Sequence, residues 1–228
     1  YGILMATGMV LGVFIALREA KRLGIKEDDI LNLAIIAIPC GLIGARLYYV
    51  IFNWSYYSGN ISEILNFRGG GMAIHGGLLG GVLAGYIYTK VKKLNFFKMA
   101  DCVVLGIPLA QAIGRWGNYL NKEAHGGPTD LPWGIMVDGV KVHPTFLYES
   151  IWDLGVFIFL MLFRKKQKYE GQILVYYITL YSIGRFFIEG LRTDSLMLGP
   201  LRMAQVISLG FILIGVILNY VLSKKNKR

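Results

Sequence analysis

The residues able to do chemistry are few, and their spacing is regular. His75 stands in GGGMAIHGGLLGG (69–81), a lone imidazole among glycines and apolar side chains. Arg115, Asn118 and Glu123 follow in GRWGNYLNKE, His143 and Glu149 in HPTFLYE, and Tyr181, Arg185 and Glu189 in YSIGRFFIE. The last three recur every four residues, so they share one helix face, and Arg185 and Glu189 are placed to pair. Arg115 and Asn118, three apart, are spaced to face one way as well. Arginines in such a set suit an anion, most simply a phosphate, because the planar guanidinium matches its oxygens and keeps its charge. A neutral imidazole near pH 7 accepts a proton. For His75 a structural role, with the ring satisfied by a carbonyl, stands beside the catalytic one. Its glycines let a ligand approach closely, or break the helix and present free backbone N–H groups. Gly80, Gly81 and Gly85 read as helix-packing residues.

What must position these residues is a membrane bundle. The chain has 228 residues, 55% of them hydrophobic, with a mean hydropathy of +0.52. The apolar residues fall in seven blocks, roughly 1–17, 30–52, 72–89, 97–114, 144–163, 171–190 and 203–222, each near the length of a membrane span. The expected fold is therefore an all-α membrane protein, one integral domain over 1–228 with about seven transmembrane helices. The net charge of +10 is distributed unevenly. Segments 18–29, 90–98, 164–170 and 223–228 each carry four Lys or Arg, sixteen of the 24 in the chain. The positive-inside rule puts these on the cytoplasmic side, with the visible N-terminus outside and the C-terminus inside. Placement of this kind argues for a membrane topology and against a nucleic-acid partner.

The longest external connection, 115–143, is too polar and too rich in Gly and Pro to span. It reads as a small external head with Trp116 and Trp133 as interface anchors. Segment 53–71 has room for a short interfacial helix. Cys40 and Cys102 lie in apolar blocks and read as buried thiols. On this topology His75, Arg115, Asn118, Glu123, His143, Glu149, Tyr181, Arg185 and Glu189 all fall in the outer half or just beyond it. Arg46 reads as the exception, deep in the second span. Ionisable groups at membrane depth are costly and point to function, so one polar site facing the outer leaflet is expected. Arg192 and Arg202 read as interfacial anchors. Asp101 reads as a charge at the N-terminus of its own helix, about 21 Å along a helix from Arg115. Solute transport would need access from both sides and paired broken helices, and only one glycine-rich segment is present. The G-x-S-x-G elbow of a serine hydrolase is absent.

The segments GMAIHGGLLGG, GRWGNYLNKEAHG, HPTFLYES and YSIGRFFIEGLR, in this order, resemble the bacterial prolipoprotein diacylglyceryl transferases, and the resemblance runs from Tyr1 to the last span. It implies a seven-span enzyme with an external N-terminus. The implied reaction moves the diacylglyceryl group of phosphatidylglycerol to the thiol of the lipobox cysteine in a prolipoprotein signal peptide. A thioether forms and glycerol phosphate leaves, the first step of lipoprotein maturation, at the outer face of the plasma (inner) membrane. The resemblance implies no metal and no organic cofactor. Its HGG histidine falls on His75, its GRxGN arginine and asparagine on Arg115 and Asn118, and the following glutamate on Glu123. Its HP histidine falls on His143, and the tyrosine, arginine and glutamate of its sixth span on Tyr181, Arg185 and Glu189. Asp101 also falls on an acidic position of the family. The chain begins at Tyr1 rather than at Met, so a native start upstream is expected. A family tyrosine near the outer end of the first span gives Tyr1 a site role. One departure is Lys122, where many relatives carry glycine.

The implied transfer alkylates sulfur, so it needs no oxyanion hole. The thiol, with an ordinary pKa of about 8.5, must lose its proton, and the leaving phosphate must be stabilised. His75 is the candidate base, Arg115 and Arg185 the candidate phosphate clamp. Glu189 is expected to orient Arg185, with Asn118 and Tyr181 as headgroup ligands.

Overall fold

The computed structural model describes residues 2–59, 61–67, 70–193 and 195–225; Tyr1 lies outside them. Helices dominate: α1 (Gly2–Leu23), α2 (Glu27–Phe52), the short α3 (Trp54–Tyr57) and α4 (Ile61–Ile64), α5 (Ile74–Val91), α6 (Phe96–Val104), α7 (Ile107–Leu120), α8 (Thr145–Phe163), α9 (Gln172–Glu189) and α10 (Met203–Lys225). Each of the seven apolar blocks is helical, the fourth in two pieces. Four helices, α1, α2, α8 and α10, are long and apolar enough to cross a membrane, and the bent pair α6–α7 makes five. The glycines and His75 dilute α5, and Arg185 and Glu189 dilute α9; both helices have 18 residues. The protein is an all-α membrane protein.

The chain forms two compact units, one of residues up to Glu19 together with those from Ala100 onward, the other of Ala20–Met99. In the second unit α2 and α5 pack antiparallel. A Cβ on Gly80 would lie 2.5 Å from the Cys40 carbonyl, on Gly81 3.8 Å from that of Ala37, and on Gly85 3.7 Å from Leu33. Gly44 and Gly76 abut backbone to backbone with no room for a side chain on either. Small residues permit this closeness, which drives helix pairing where lipid competes for apolar contact. The packing role expected of Gly80 thus holds, while Gly81 and Gly85 make only ordinary contacts. No break occurs among the glycines that follow His75, because α5 is continuous from Ile74 to Val91.

Arg46 corrects its sequence reading. It lies in the last two turns of α2, not deep in a span. Although only 3% exposed, its guanidinium donates to four carbonyls: Ile64 at 3.0 Å, Gly70 at 2.6 Å, Gly71 at 2.9 Å and Glu63 at 2.5 Å. It ties the segment before α5 to the end of α2, and Ala73 N–H donating to the Ala45 carbonyl continues that tie. Gly71 takes φ +70° directly against the Arg46 and Tyr49 side chains, a position only glycine fits.

In the first unit the core gathers where α6 gives way to α7: Val104 and Leu105 with Val156 and Leu160 of α8 and Ile173 of α9. The 42° bend there has two causes. Pro108 opens α7, and a Cβ on Gly106 would lie 2.5 Å from the Gly12 Cα, so α1 reaches the break closely. Cys102 is buried, as expected, and donates its thiol to the Ala16 carbonyl, whereas Cys40 is only half-buried; neither is in a disulfide.

The connection after α7 begins at Asn121, since the helix continues through Arg115 to Leu120. It contains an antiparallel hairpin of β1 (Ile135–Val137) and β2 (Val140–Val142), turned at Asp138 and Gly139 with positive φ. Residues 126–128 bridge to Arg192 and Val142. Gly126 is required there, since a Cβ would lie 2.6 Å from that of His143. A second small hairpin, β3 (Met197–Leu198) and β4 (Leu201–Arg202), precedes α10.

On the connection between α8 and α9, burial first, then Tyr176 and Asp101, pushes the Tyr169 phenol up to about 12. It stays protonated and donates to Asn219.

Candidate active site

Three helices of the first unit bring charge together. Arg115 lies on α7, Glu149 and Asp153 on α8, and Tyr181, Arg185 and Glu189 on α9. Glu149 is the hub. Its Oε2 is 2.5 Å from Arg115 Nη2 and its Oε1 2.5 Å from Arg185 Nη1, while Arg185 Nη2 reaches Glu189 Oε2 at 2.5 Å. Arg192, just past α9, lies 3.8 Å from Glu149 and 3.9 Å from Glu189. The carboxylates are almost fully buried, at 5% and 4% side-chain exposure, whereas Arg115 and Arg185 keep 19%. Burial of such charges is tolerated only when each is paired and hydrogen-bonded. What remains open to a ligand is therefore the cationic side.

The supporting contacts fix this array. The Tyr181 ring stacks on that of Tyr177 at 5.8 Å. Tyr177 donates to Gln111 at 3.1 Å, linking α9 to α7. Ser195 donates to Glu189 Oε1 at 2.5 Å. Arg202 donates to the carbonyls of Gly190 and Arg192, both at 2.6 Å, which holds the turn carrying Arg192. Gly184 lies against the Trp152 ring, one residue before Arg185. Asp153 is 2% exposed, one turn from Glu149, and its Oδ2 has no hydrogen-bond partner among the described residues.

The other sequence-stipulated residues fall into separate groups. Arg115 turns to Glu149, whereas Asn118 donates to Glu123 at 3.0 Å, so the expected common orientation of Arg115 and Asn118 gives way to two different partners. Asn121 donates to the same Glu123 oxygen at 3.2 Å. Lys122 stands at φ +54°, the left-handed region glycine enters freely, which explains why glycine suits this turn; its own side chain is exposed. Asn118 and Glu123 border a cleft of about 240 Å³ with Tyr119, His125, Met136 and Phe146. That is below the usual range of small-ligand pockets, about 300–1,000 Å³, so it does not enclose a whole lipid. His143 is held by its backbone, through N–H to Gly127 at 3.0 Å and the carbonyl from Gly126 at 2.9 Å. Its Nδ1 meets the Tyr148 hydroxyl at 3.3 Å, which also accepts from Trp133 at 2.9 Å. His75 belongs to the second unit, in the first turn of α5, exposed, with the Tyr48 ring 6.2 Å away.

Two sequence readings are corrected here. Arg192 and Arg202 are not free interface anchors, since one joins the charge array and the other binds carbonyls. Asp101 is a helix N-terminal charge for α9 rather than for its own helix. It accepts from Gly171 N–H at 2.6 Å, Leu174 N–H at 2.9 Å and Gln167 at 2.5 Å. In the sequence reading Glu149 stands in the expected polar set without a role of its own, Asp153 is not singled out, and Arg192 reads as an anchor. Their signal was spacing: Glu149 and Asp153 are four apart on one helix, and Arg192 follows Glu189 by three. Among the described residues no group of three or more His, Cys, Asp or Glu is placed to hold a metal ion.

Comparison with known proteins places the whole chain in one family. The family model for prolipoprotein diacylglyceryl transferase matches residues 1–221. A phosphatidylglycerol–prolipoprotein diacylglyceryl transferase of Clostridioides difficile is 77% identical over 227 residues, 100% of this chain and 92% of the relative. Proteins of the same name from Finegoldia magna and Clostridium novyi are each 52% identical, covering 96% and 100% of this chain and 88% and 92% of their own length. With a matching family model over nearly its whole length and 77% identity to a relative across the whole chain, the chain belongs to the prolipoprotein diacylglyceryl transferase family.

Proposed function

We propose that the protein transfers the diacylglyceryl group of phosphatidylglycerol to the lipobox cysteine of prolipoproteins, at the outer leaflet of the bacterial plasma membrane. The names and full-length identity of the relatives support the substrates. The observation that carries the chemistry is the Arg115–Glu149–Arg185 array, two guanidinium groups converging on one oxyanion position. The cysteine thiolate gives its electron pair to the glycerol carbon bearing the phosphate. The carbon–oxygen bond breaks, its electrons leave on the phosphate, and glycerol phosphate departs. Arg115 and Arg185 hold the phosphate and offset the charge growing on it, and Glu189 orients Arg185. Tyr181 and Asn118 hold the headgroup. Glu123, His143 and Tyr1 take substrate-binding roles from their family positions.

His75 takes the thiol proton in this reading. His75→Gln is expected to lower turnover by about 10²-fold or more and to remove the part of the pH profile due to imidazole. Near-normal turnover with an unaltered profile removes His75 from the base role.

The protein acts as one integral domain of seven spans, with the N-terminus outside, the C-terminus in the cytoplasm and the connection from Asn121 to His143 as an external head. The alternation of basic and non-basic connections supports this orientation. The direct test uses purified protein in detergent with phosphatidylglycerol and a lipobox peptide. A diacylglyceryl thioether detected by mass, and lost in folded Arg115→Ala, is the expected result. No product from folded protein supplied with lipid overturns the proposal and makes solute transport the next assay.

A further inference from the structure

The position between the two guanidinium groups is already taken by an anion. Glu149 lies there with one carboxylate oxygen 2.5 Å from Arg115 and the other 2.5 Å from Arg185. Arg192 stands 3.8 Å away. A phosphodiester held by both arginines needs the N–H groups that Glu149 now occupies, because those groups converge on one place. Glu149 and Glu189 already offset two of the three positive charges of Arg115, Arg185 and Arg192 without a ligand. A lipid phosphate adds a negative charge, and a released phosphate monoester carries a larger one.

From this we infer that Glu149 is a built-in competitor for the phosphate position, which yields to the phosphodiester of the lipid and returns as the phosphomonoester product leaves. The inference rests on the reading of Arg115 and Arg185 as the phosphate clamp. Glu149 lies between two arginines and offsets one of their two positive charges before the lipid arrives. Its repulsion acts more strongly on the product than on the lipid, since the monoester has the higher charge. The residue thus discriminates between diester and monoester and favours release. No covalent bond forms or breaks at its carboxyl group.

The test is product inhibition by glycerol phosphate, measured for the native protein and Glu149→Gln, which keeps shape and removes charge. The inhibition constant is expected to fall by about tenfold or more, the gain from freeing a charge-assisted pair. The KM for phosphatidylglycerol should fall with it, and kcat should drop as release slows. An unchanged or raised inhibition constant overturns the inference, since a carboxylate that only props the arginines weakens anion binding when lost. If the variant turns over too slowly, thermal unfolding replaces kinetics. Glycerol phosphate should then raise the unfolding temperature of Glu149→Gln more than that of the native protein; an equal or smaller rise overturns it. Arg115→Ala and Arg185→Ala separate the two readings. Glycerol phosphate binding undiminished in both removes the clamp itself, whereas binding lost in both but unaltered in Glu149→Gln removes only the competitor.

Discussion

Arg185→Ala is expected to reduce diacylglyceryl transfer by about 10³-fold or more. One guanidinium serves two functions here. It pairs with Glu149 and with Glu189, each at 2.5 Å, and in the proposed reaction it faces the leaving phosphate. Removing one donor aimed at developing charge costs about 10²–10³ in rate. Alanine removes that donor and also leaves two buried carboxylates short of a partner, a loss of about 3–5 kcal/mol in stability for a broken buried pair. Arg185→Lys separates these effects. Lysine restores a charge but has no planar fork, so it cannot bridge Glu149 and Glu189 together. Its expected activity lies about 10- to 100-fold below native, with most of the stability regained. Thioether formation measured by mass, beside a folding check in detergent, decides the matter. Activity of Arg185→Ala within tenfold of native would refute the phosphate role, and a fully active Arg185→Lys would refute bidentate recognition.

Asp101→Ala should destabilise the first unit strongly without touching the charge array. The Asp101 carboxylate is 1% exposed and accepts from Gly171 and Leu174 at the start of α9 and from Gln167. These are the backbone donors that a helix start leaves without internal partners. Hydrogen bonds to a charged acceptor contribute about 1.5–3 kcal/mol each, and a buried donor left unsatisfied costs about 1–3 kcal/mol. A loss of about 3 kcal/mol or more follows, or an unfolding temperature lower by about 10 °C. Arg185 stands eleven residues beyond Leu174, about 16 Å along the same helix. Transfer at low temperature, where the variant is folded, should therefore stay within a few-fold of native. Asp101→Asn keeps one acceptor oxygen and should lie between. A shift below about 2 °C for Asp101→Ala would refute the capping role, and a loss of activity without loss of stability would place Asp101 in the chemistry.

Sequence alone determined the class of the protein, an all-α membrane protein. Apolar block length is a local property, read residue by residue, and among the described residues each of the seven blocks is helical, the fourth in two pieces. The face shared by Tyr181, Arg185 and Glu189 was equally legible, because helix geometry alone sets it, and the Arg185–Glu189 pair follows. The motifs around His75, Arg115, His143 and Arg185 carried the family, since short segments in fixed order survive where overall sequence drifts. Tertiary structure alone decided which partner each charge takes. Glu149 became the hub, Arg192 joined it, Arg46 turned to carbonyls, and Asp101 capped a helix seventy residues away in the chain. Such choices depend on the rotation and depth of one helix against another. Those follow from close packing at residues such as Gly8, Gly12 and Gly106, and from the bend before Pro108, not from spacing within any single helix.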